Sequence, residues 1–319
     1  MDYSVKVLNN FKGDLIELKN YSNLKELEIS NSKFNEELKN LPEGLEVLKI
    51  HSHNFNQELK NLPEGLKELT IWKCNNFNQA LDKLPVCLEV LKIWSDNINQ
   101  ALDKLPEGLK ELEIISKKLN QKLDKLPEGL KELRILWCSK FNQELKNLPE
   151  GLKVLTIYSY SFNQELNNLP EGLKELKILW CNNFNQELNN LPEGLKELRI
   201  LWCNNFNKEL NNLPECLEIL DIDRCDNFNK KLDNLPEGLK VLKIMDCMFF
   251  NQELNNLPEG LEVLQICSKY FNKKLDNLPL SLKKLSIRKE YLEYYSLEEV
   301  LGMIPLGCEL YVNEKKIDL

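Results

Sequence analysis

The sequence predicts a repeat solenoid: a coil with one parallel β-strand per turn and an irregular, extended return. Three observations predict this fold class. The dipeptide Leu-Pro occurs twelve times, at a spacing of 21 or 22 residues. Each interval contains one short segment in which apolar and polar residues alternate. No interval is long enough for a strand and a long helix, so each turn of the coil has one strand and an extended return.

The strand and the turn before it are the most regular parts of each unit. Units read F-N-x-x-L-x-x-L-P-E-G-L-x-x-L-x-I, and alternation in the last six residues, for example Leu173–Ile178, indicates a half-buried strand. Proline fixes its own φ and restricts the residue before it to extended geometry. Leu-Pro-Glu-Gly therefore predicts a type I turn with Pro second and Gly fourth. Because Cys87, Cys216 and Ser281 replace that glycine, we expect no positive φ there.

The apolar positions of one unit cannot cover one another, so the units must stack. Seven positions per unit are predicted to point inward, in one unit Leu173, Leu176, Ile178, Cys181, Phe184, Leu188 and Leu191. Stacked neighbours bury these side chains and supply the ladder hydrogen bonds of a parallel sheet.

This motif resembles the FNIP repeat, a relative of the leucine-rich repeat that is abundant in social amoebae and in giant viruses of amoebae. The resemblance covers about residues 24–289. It implies a right-handed, leucine-rich-repeat-like solenoid with the strands on the concave face and an irregular, extended convex side, and it implies a binding role rather than a chemical one. Many FNIP proteins carry an N-terminal F-box that links them to ubiquitin ligases, but only 23 residues precede the first strand at Leu24, so we expect no F-box.

We expect a single solenoid domain over residues 1–319, with caps at 1–23 and 290–319 around the repeats at 24–289. The N-terminal cap is predicted as a degenerate unit built on Val5, Val7, Phe11, Leu15 and Leu18. In the C-terminal cap, residues 296–299 match a capping box that begins a short helix with Leu297, Val300 and Leu301 on one face. We expect core cover from Tyr291, Leu292, Tyr294 and Tyr295, and a last strand at 309–312.

Cysteine accompanies the longer units. The six units of 22 residues have cysteine as the ninth residue when the first strand leucine is counted as the first, at Cys74, Cys138, Cys181, Cys203, Cys225 and Cys247. The shorter units have His53, Asp96, Lys117, Tyr160 or Lys269 at that count, which we interpret as the same inward position. A metal or redox ladder is one interpretation of the cysteines. Buried free thiols are the better one, because parallel side chains point the wrong way for a bridge and no C-x-x-C pair occurs.

Composition and motifs argue against several classes of function. The net charge of −8 argues against nucleic acid, and the absence of an 18-residue apolar run or a signal peptide argues against a membrane. Carboxylates recur in every turn as solvated rows, and His51 and His53 should face opposite ways. We therefore expect no enzyme, metal or cofactor, and a monomeric protein in the cytoplasm, or the host cytoplasm if the chain is viral.

The surface that could bind a partner combines the strand face and its aromatic rim. Every tryptophan lies one or two places past a strand isoleucine, and the candidate residues there are Trp72, Trp94, Trp137, Tyr158, Trp180 and Trp202. Outward strand positions alternate in charge, and Arg134, Lys177 and Arg199 are further candidates that would also suit diagonal ion pairs. The aromatic rings either stack along one rim and cover the cysteine turn, or form a binding strip.

The leading hypothesis is a protein–protein interaction module with an unidentified protein partner. The alternatives are a structural repeat protein without a single ligand and a glycan-binding module that uses the aromatic rings.

Overall fold

The computed structural model describes residues 15, 18, 21 and 23–317 of the chain. The chain forms two compact units, Met1–Tyr160 and Ser161–Leu319. The strands described in the first unit are β1 (Glu26–Ser30), β2 (Val47–His51), β3 (Glu68–Trp72), β4 (Val90–Trp94), β5 (Glu111–Ile115), β6 (Glu132–Leu136) and β7 (Val154–Tyr158). Those of the second are β8 (Glu175–Leu179), β9 (Glu197–Leu201), β10 (Ile219–Asp223), β11 (Val241–Met245), β12 (Val263–Cys267), β13 (Lys284–Ile287), β14 (Glu309–Val312) and β15 (Lys315–Lys316).

Within each unit, consecutive strands up to β14 pair in parallel and in register, and β15 pairs antiparallel with β14. Leu27 lies opposite Leu48 and Ile29 opposite Ile50 in the first unit, and Leu242 lies opposite Leu264 in the second. The predicted fold class, a parallel-strand solenoid with one strand per turn of about 22 residues, is confirmed. The single continuous domain, the right-handed course and the concave position of the strands stay predictions.

The core of each unit is a set of side-chain ladders that run from turn to turn. The inward-facing strand leucines and isoleucines, such as Leu176 and Ile178, are fully buried, and so are most of the phenylalanines. In the first unit Phe34 stacks on Phe55 with ring centroids 5.8 Å apart, and in the second Phe206 stacks on Phe228 at 5.7 Å. Since each ring needs the ring of the next turn to be covered, no turn is stable alone.

The Pro-Glu-Gly turn starts one residue later than the sequence predicts. The amide of Leu45 donates to the carbonyl of Pro42 at 3.1 Å, so proline is first in the turn and glycine third. As expected, positive φ is not what selects glycine: among the described glycines only Gly307 has it. Crowding does select it in several turns. A Cβ on Gly108 would lie 3.0 Å from the carbonyl oxygen of Val86 in the preceding turn.

The asparagine after each aromatic residue forms a ladder of its own. The side-chain oxygen of Asn35 accepts from the amide of Asn56 at 2.9 Å, and Asn56 accepts in the same way from Asn78 at 3.0 Å. The pattern continues in the second unit, where Asn207 accepts from Asn229 at 3.1 Å. Each asparagine thus satisfies a backbone donor of the next turn, which explains why all twelve units keep it.

Two kinds of turn follow the strands. In each 22-residue unit, the residue before the cysteine has left-handed backbone; these residues are Lys73, Trp137, Trp180, Trp202, Arg224 and Asp246. That extra residue lets the cysteine reach the core, where all six thiols are fully buried. In the 21-residue units the left-handed residue is missing.

The inward position of the shorter turns belongs to serine. Ser52, Ser95, Ser116, Ser159 and Ser268 follow their strands directly and are buried. The prediction that His53, Asp96, Lys117, Tyr160 and Lys269 fill this position is wrong, because without the left-handed residue the chain turns inward one residue earlier. Ser95, for example, donates to the carbonyl of Phe77 at 2.7 Å.

Most features predicted for the C-terminal cap are present. Helix α1 (Leu297–Met303) begins with the predicted capping box between Ser296 and Glu299, and β14 is the predicted last strand, parallel to β13. Val300 is buried, but Leu297 is exposed, so the predicted apolar face is wrong there. Tyr291 covers the core by stacking on Phe271 at 5.6 Å, whereas Tyr294 is exposed, contrary to expectation.

At the N-terminal end, Leu15 and Leu18 are buried, and the predicted Val5, Val7 and Phe11 lie outside the described residues. Across the described part of the chain, no helix has the length and apolarity needed to cross a membrane.

Candidate binding groove

In the first unit, the aromatic side chains form a row along the carboxyl ends of the strands. Trp72 and Trp94 are the last residues of β3 and β4, and their rings meet edge to face with centroids 4.4 Å apart. Trp137 follows β6 and contacts Tyr158, the last residue of β7, also at 4.4 Å. Four of the six predicted aromatic residues therefore lie in this one row.

The row is interrupted at β5, which ends in Ile115. Ile115 pairs in register with Trp94 on one side and with Leu136 on the other. An isoleucine between bulkier aromatic neighbours leaves a depression with a volume of about 820 Å³. We call this depression the aromatic groove; it is lined by His53, Trp72, Lys73, Asn75, Trp94, Asp96, Ile115, Lys117, Trp137 and Ser139.

Trp137 is the most exposed tryptophan of the groove. It has φ of 54° and 59% of its surface is accessible to solvent. The left-handed region disfavours L-residues by about 1–2 kcal/mol, and glycine or asparagine suits it better. The backbone therefore does not select tryptophan here, and its ring is held out into the groove.

One cation in the groove is not matched by an anion. The ammonium of Lys73 lies 5.3 Å from the centroid of the Trp94 ring, a cation–π contact. Lys117 and Asp96 neutralise each other through an ion pair of 2.7 Å. No carboxylate of the described residues forms an ion pair with Lys73, so the groove carries an excess of positive charge next to an aromatic wall.

The remaining two tryptophans lie in the second unit and pack differently. Trp180 and Trp202 stack face to face, with centroids 4.2 Å apart and planes 9° from parallel. The guanidinium of Arg224 lies 4.0 Å over the Trp202 ring and covers the end of that stack. Here the aromatic rings pack against each other, and they supply a comparison for Trp137.

The three basic candidates on the strand face are engaged in ion pairs. Arg134 pairs with Glu111 at 3.0 Å, Lys177 with Glu197 at 3.1 Å, and Arg199 with Asp221 at 2.9 Å. The first two are the diagonal pairs that the alternating charges predict, whereas Arg199 and Asp221 lie directly opposite each other on adjacent strands. Because intramolecular carboxylates already satisfy these cations, the strand face is largely self-neutralised, and its role in binding stays a prediction.

Several groove residues were not among the sequence-derived candidates. Lys73, Asp96, Ile115 and Lys117 line the groove together with the predicted tryptophans. The useful sequence signal was Ile115 itself, which interrupts a series of aromatic residues at equivalent positions. The sequence could mark that interruption, but the cavity depends on ring orientations that only the structure gives.

The cysteine ladder consists of buried thiols that contact backbone carbonyls. The thiol of Cys225 donates to the carbonyl of Ile200 at 3.2 Å, and burial raises the pKa of that thiol well above its ordinary value. Within the described ranges, no group of three or more His, Cys, Asp or Glu side chains could hold a metal ion.

The strand ladder, turns and external aromatic residues define a leucine-rich-repeat-like repeat protein. The family model "FNIP Repeat" matches residues 141–181, and the same motif recurs along the chain, so these repeats are similar to the FNIP repeat.

Among solved structures, the chain is similar to CroV588, a circular leucine-rich-repeat protein from a giant virus, with 29% sequence identity and a TM-score of 0.70. That match covers 88% of this chain and 45% of the CroV588 chain, so this chain spans about half of that structure's length. No curated protein matches the sequence. Repeat scaffolds of this kind are in general protein-interaction scaffolds and typically not enzymes.

Proposed function

We propose that the protein is a non-enzymatic interaction scaffold that binds a protein partner through the aromatic groove. The observation that carries this proposal is Trp137, which is 59% exposed on left-handed backbone and forms one wall of an 820 Å³ groove. In this proposal the protein acts as a monomer in the cytoplasm.

The chemistry of the groove favours association. Tryptophan and tyrosine dominate interface hot spots, because they bury a large apolar area with few rotatable bonds. Covering the exposed part of one such ring contributes about 1.5–3 kcal/mol. Trp72, which is 38% exposed, offers a second ring in the same groove.

The dimensions of the groove suit a short segment of polypeptide. Its lining runs from His53 to Ser139, across the ends of β2 to β6. Four strand spacings of about 4.8 Å give a length of about 19 Å. An extended peptide of about six residues has this length, and the cavity volume lies in the range typical of ligand sites.

Selection from a random peptide library on the intact protein tests the proposal. A phage-displayed dodecapeptide library is panned on the native chain, and the enriched peptides are then measured against Trp137→Asn by fluorescence polarisation. Asparagine tolerates the left-handed backbone, so this variant removes the ring and keeps the turn.

Trp180→Asn is the matched control, because Trp180 occupies the same left-handed position in another 22-residue unit but lies outside the groove. We expect enriched peptides to lose at least about tenfold in affinity with Trp137→Asn and to bind Trp180→Asn like the native protein. Equal loss with both variants, or with neither, would show that the groove is not the binding site.

A further inference from the structure

We infer that the occupant of the aromatic groove is an acidic linear peptide segment, in which one large apolar side chain is flanked by aspartate or glutamate. This inference rests on the proposed function and adds the chemistry of the ligand. It follows from the slot at Ile115 and from the unmatched charge of Lys73.

The slot has room for one apolar side chain. The strand positions that carry Trp94 and precede Trp137 are two strand spacings apart, about 9.6 Å, with Ile115 between them as the floor. A group that contacts both walls needs about 3.5–4.0 Å on each side, or about 7–8 Å in total. A single phenylalanine, leucine or tryptophan side chain meets this requirement, and two side by side do not.

The positive charge next to the slot favours acidic residues beside the inserted side chain of the peptide. The ammonium of Lys73 lies against Trp94, which is one wall of the slot. A carboxylate one or two residues from the inserted side chain can therefore reach Lys73. Because Asp96 is already paired with Lys117, the groove offers no free carboxylate to a basic peptide. Lysine or arginine beside the apolar residue would instead meet a like charge.

The peptide selection described above tests this inference through composition. Sequences that bind the native chain and fail to bind Trp137→Asn should be enriched in Asp and Glu within two residues of an aromatic or branched apolar residue. A parallel selection on Lys73→Glu should enrich Lys and Arg at those positions, because reversing the charge reverses the preference.

A double-mutant cycle measures the pairing directly. One enriched peptide and its Glu-to-Gln version are titrated against the native protein and Lys73→Gln. We expect either single change to weaken binding about tenfold, and the second change to add little, because both remove the same charge-assisted contact. Lys73 is only partly buried, and unchanged circular dichroism and thermal melting of the variant would show that its fold is intact.

The outcomes separate the inference from the proposed function. Peptides that depend on Trp137 but show no acidic enrichment, or additive losses in the cycle, would overturn the acidic ligand and leave the groove as a binding site. Absence of any Trp137-dependent peptide would overturn both. Self-association of the native chain that Trp137→Asn abolishes would identify a second copy as the occupant and refute a linear peptide.

Discussion

Replacing two equivalent serines with alanine should change stability in opposite directions. Ser95 and Ser268 occupy the same buried position after the strand of a 21-residue unit, 0% and 3% exposed. The Ser95 hydroxyl donates to the carbonyl of Phe77 at 2.7 Å and accepts from the amide of Asn97 at 3.3 Å. The Ser268 hydroxyl has no hydrogen-bond partner.

The magnitudes follow from these partners. Ser95→Ala leaves a buried carbonyl and an amide without a partner, which lowers the free energy of unfolding by about 1–3 kcal/mol. Ser268→Ala removes a buried hydroxyl that has no hydrogen-bond partner, and therefore raises the free energy of unfolding by up to about 3 kcal/mol. The two variants should differ by at least about 1 kcal/mol.

Hydrogen exchange with mass spectrometry is the appropriate assay, since repeat proteins open locally and a single global transition is not assured. Exchange should accelerate in peptides that cover residues 88–102 of Ser95→Ala, and slow or stay unchanged in those covering 261–275 of Ser268→Ala. Equal acceleration in both would show that side-chain volume, not the hydroxyl, determines which residue fits this position.

Three further predictions concern the thiols, the asparagine ladder and one acid. A thiol-specific reagent should label Cys87 and Cys216 in the native protein and all ten cysteines in denaturant, because only those two are exposed; rapid native labelling of more thiols would contradict the buried ladder. Asn207→Ala should destabilise by about 1–2 kcal/mol in urea unfolding, and exposed Asn211→Ala should stay within about 0.5 kcal/mol; equal effects would argue against the ladder. Burial raises the pKa of Asp223 to about 6, so stability from this group is present at low pH and falls as pH rises from about 4 to 6. Its replacement by asparagine should therefore raise the melting temperature at pH 7 by about 2–4 °C. An equal difference in melting temperature between the native protein and the variant at pH 4 and at pH 7 would contradict the raised pKa of Asp223.

The repeat made the fold class predictable from the sequence. The change between 21- and 22-residue units made it harder to predict which residue of each turn faces inward. Alternation of Leu176 and Ile178 with charged residues predicts the strand of one unit, and the same pattern predicts the strands of the other units. The structure confirms these strands. Counting nine residues from the first leucine gave the wrong inward residue in the shorter turns. The presence of serine one position earlier, as at Ser52 and Ser95, was the signal that counting missed. A count that fits the 22-residue turns fails in the 21-residue turns, because the left-handed residue that lengthens the turn without moving it inward is absent there.

The candidate site was predictable only as a row of residues. The sequence places the tryptophans at the strand ends, and the structure agrees. The sequence alone does not reveal that the rings of Trp180 and Trp202 stack closely, whereas Trp94 and Trp137 lie on opposite sides of Ile115. Ring orientation depends on χ angles and on neighbours such as Arg224, which come from turns distant in the sequence.

The two interchangeable turns have a consequence for how such a chain can change through duplication. Unequal recombination between repeats can replace a serine turn with a cysteine turn, and both end in the same strand register. The exchange adds or removes one residue, and in the longer turn that residue is external. New side chains such as Trp137 or Arg224 can thus be introduced at this position without repacking the interior. The array is therefore a scaffold on which outward-facing chemistry varies independently of folding.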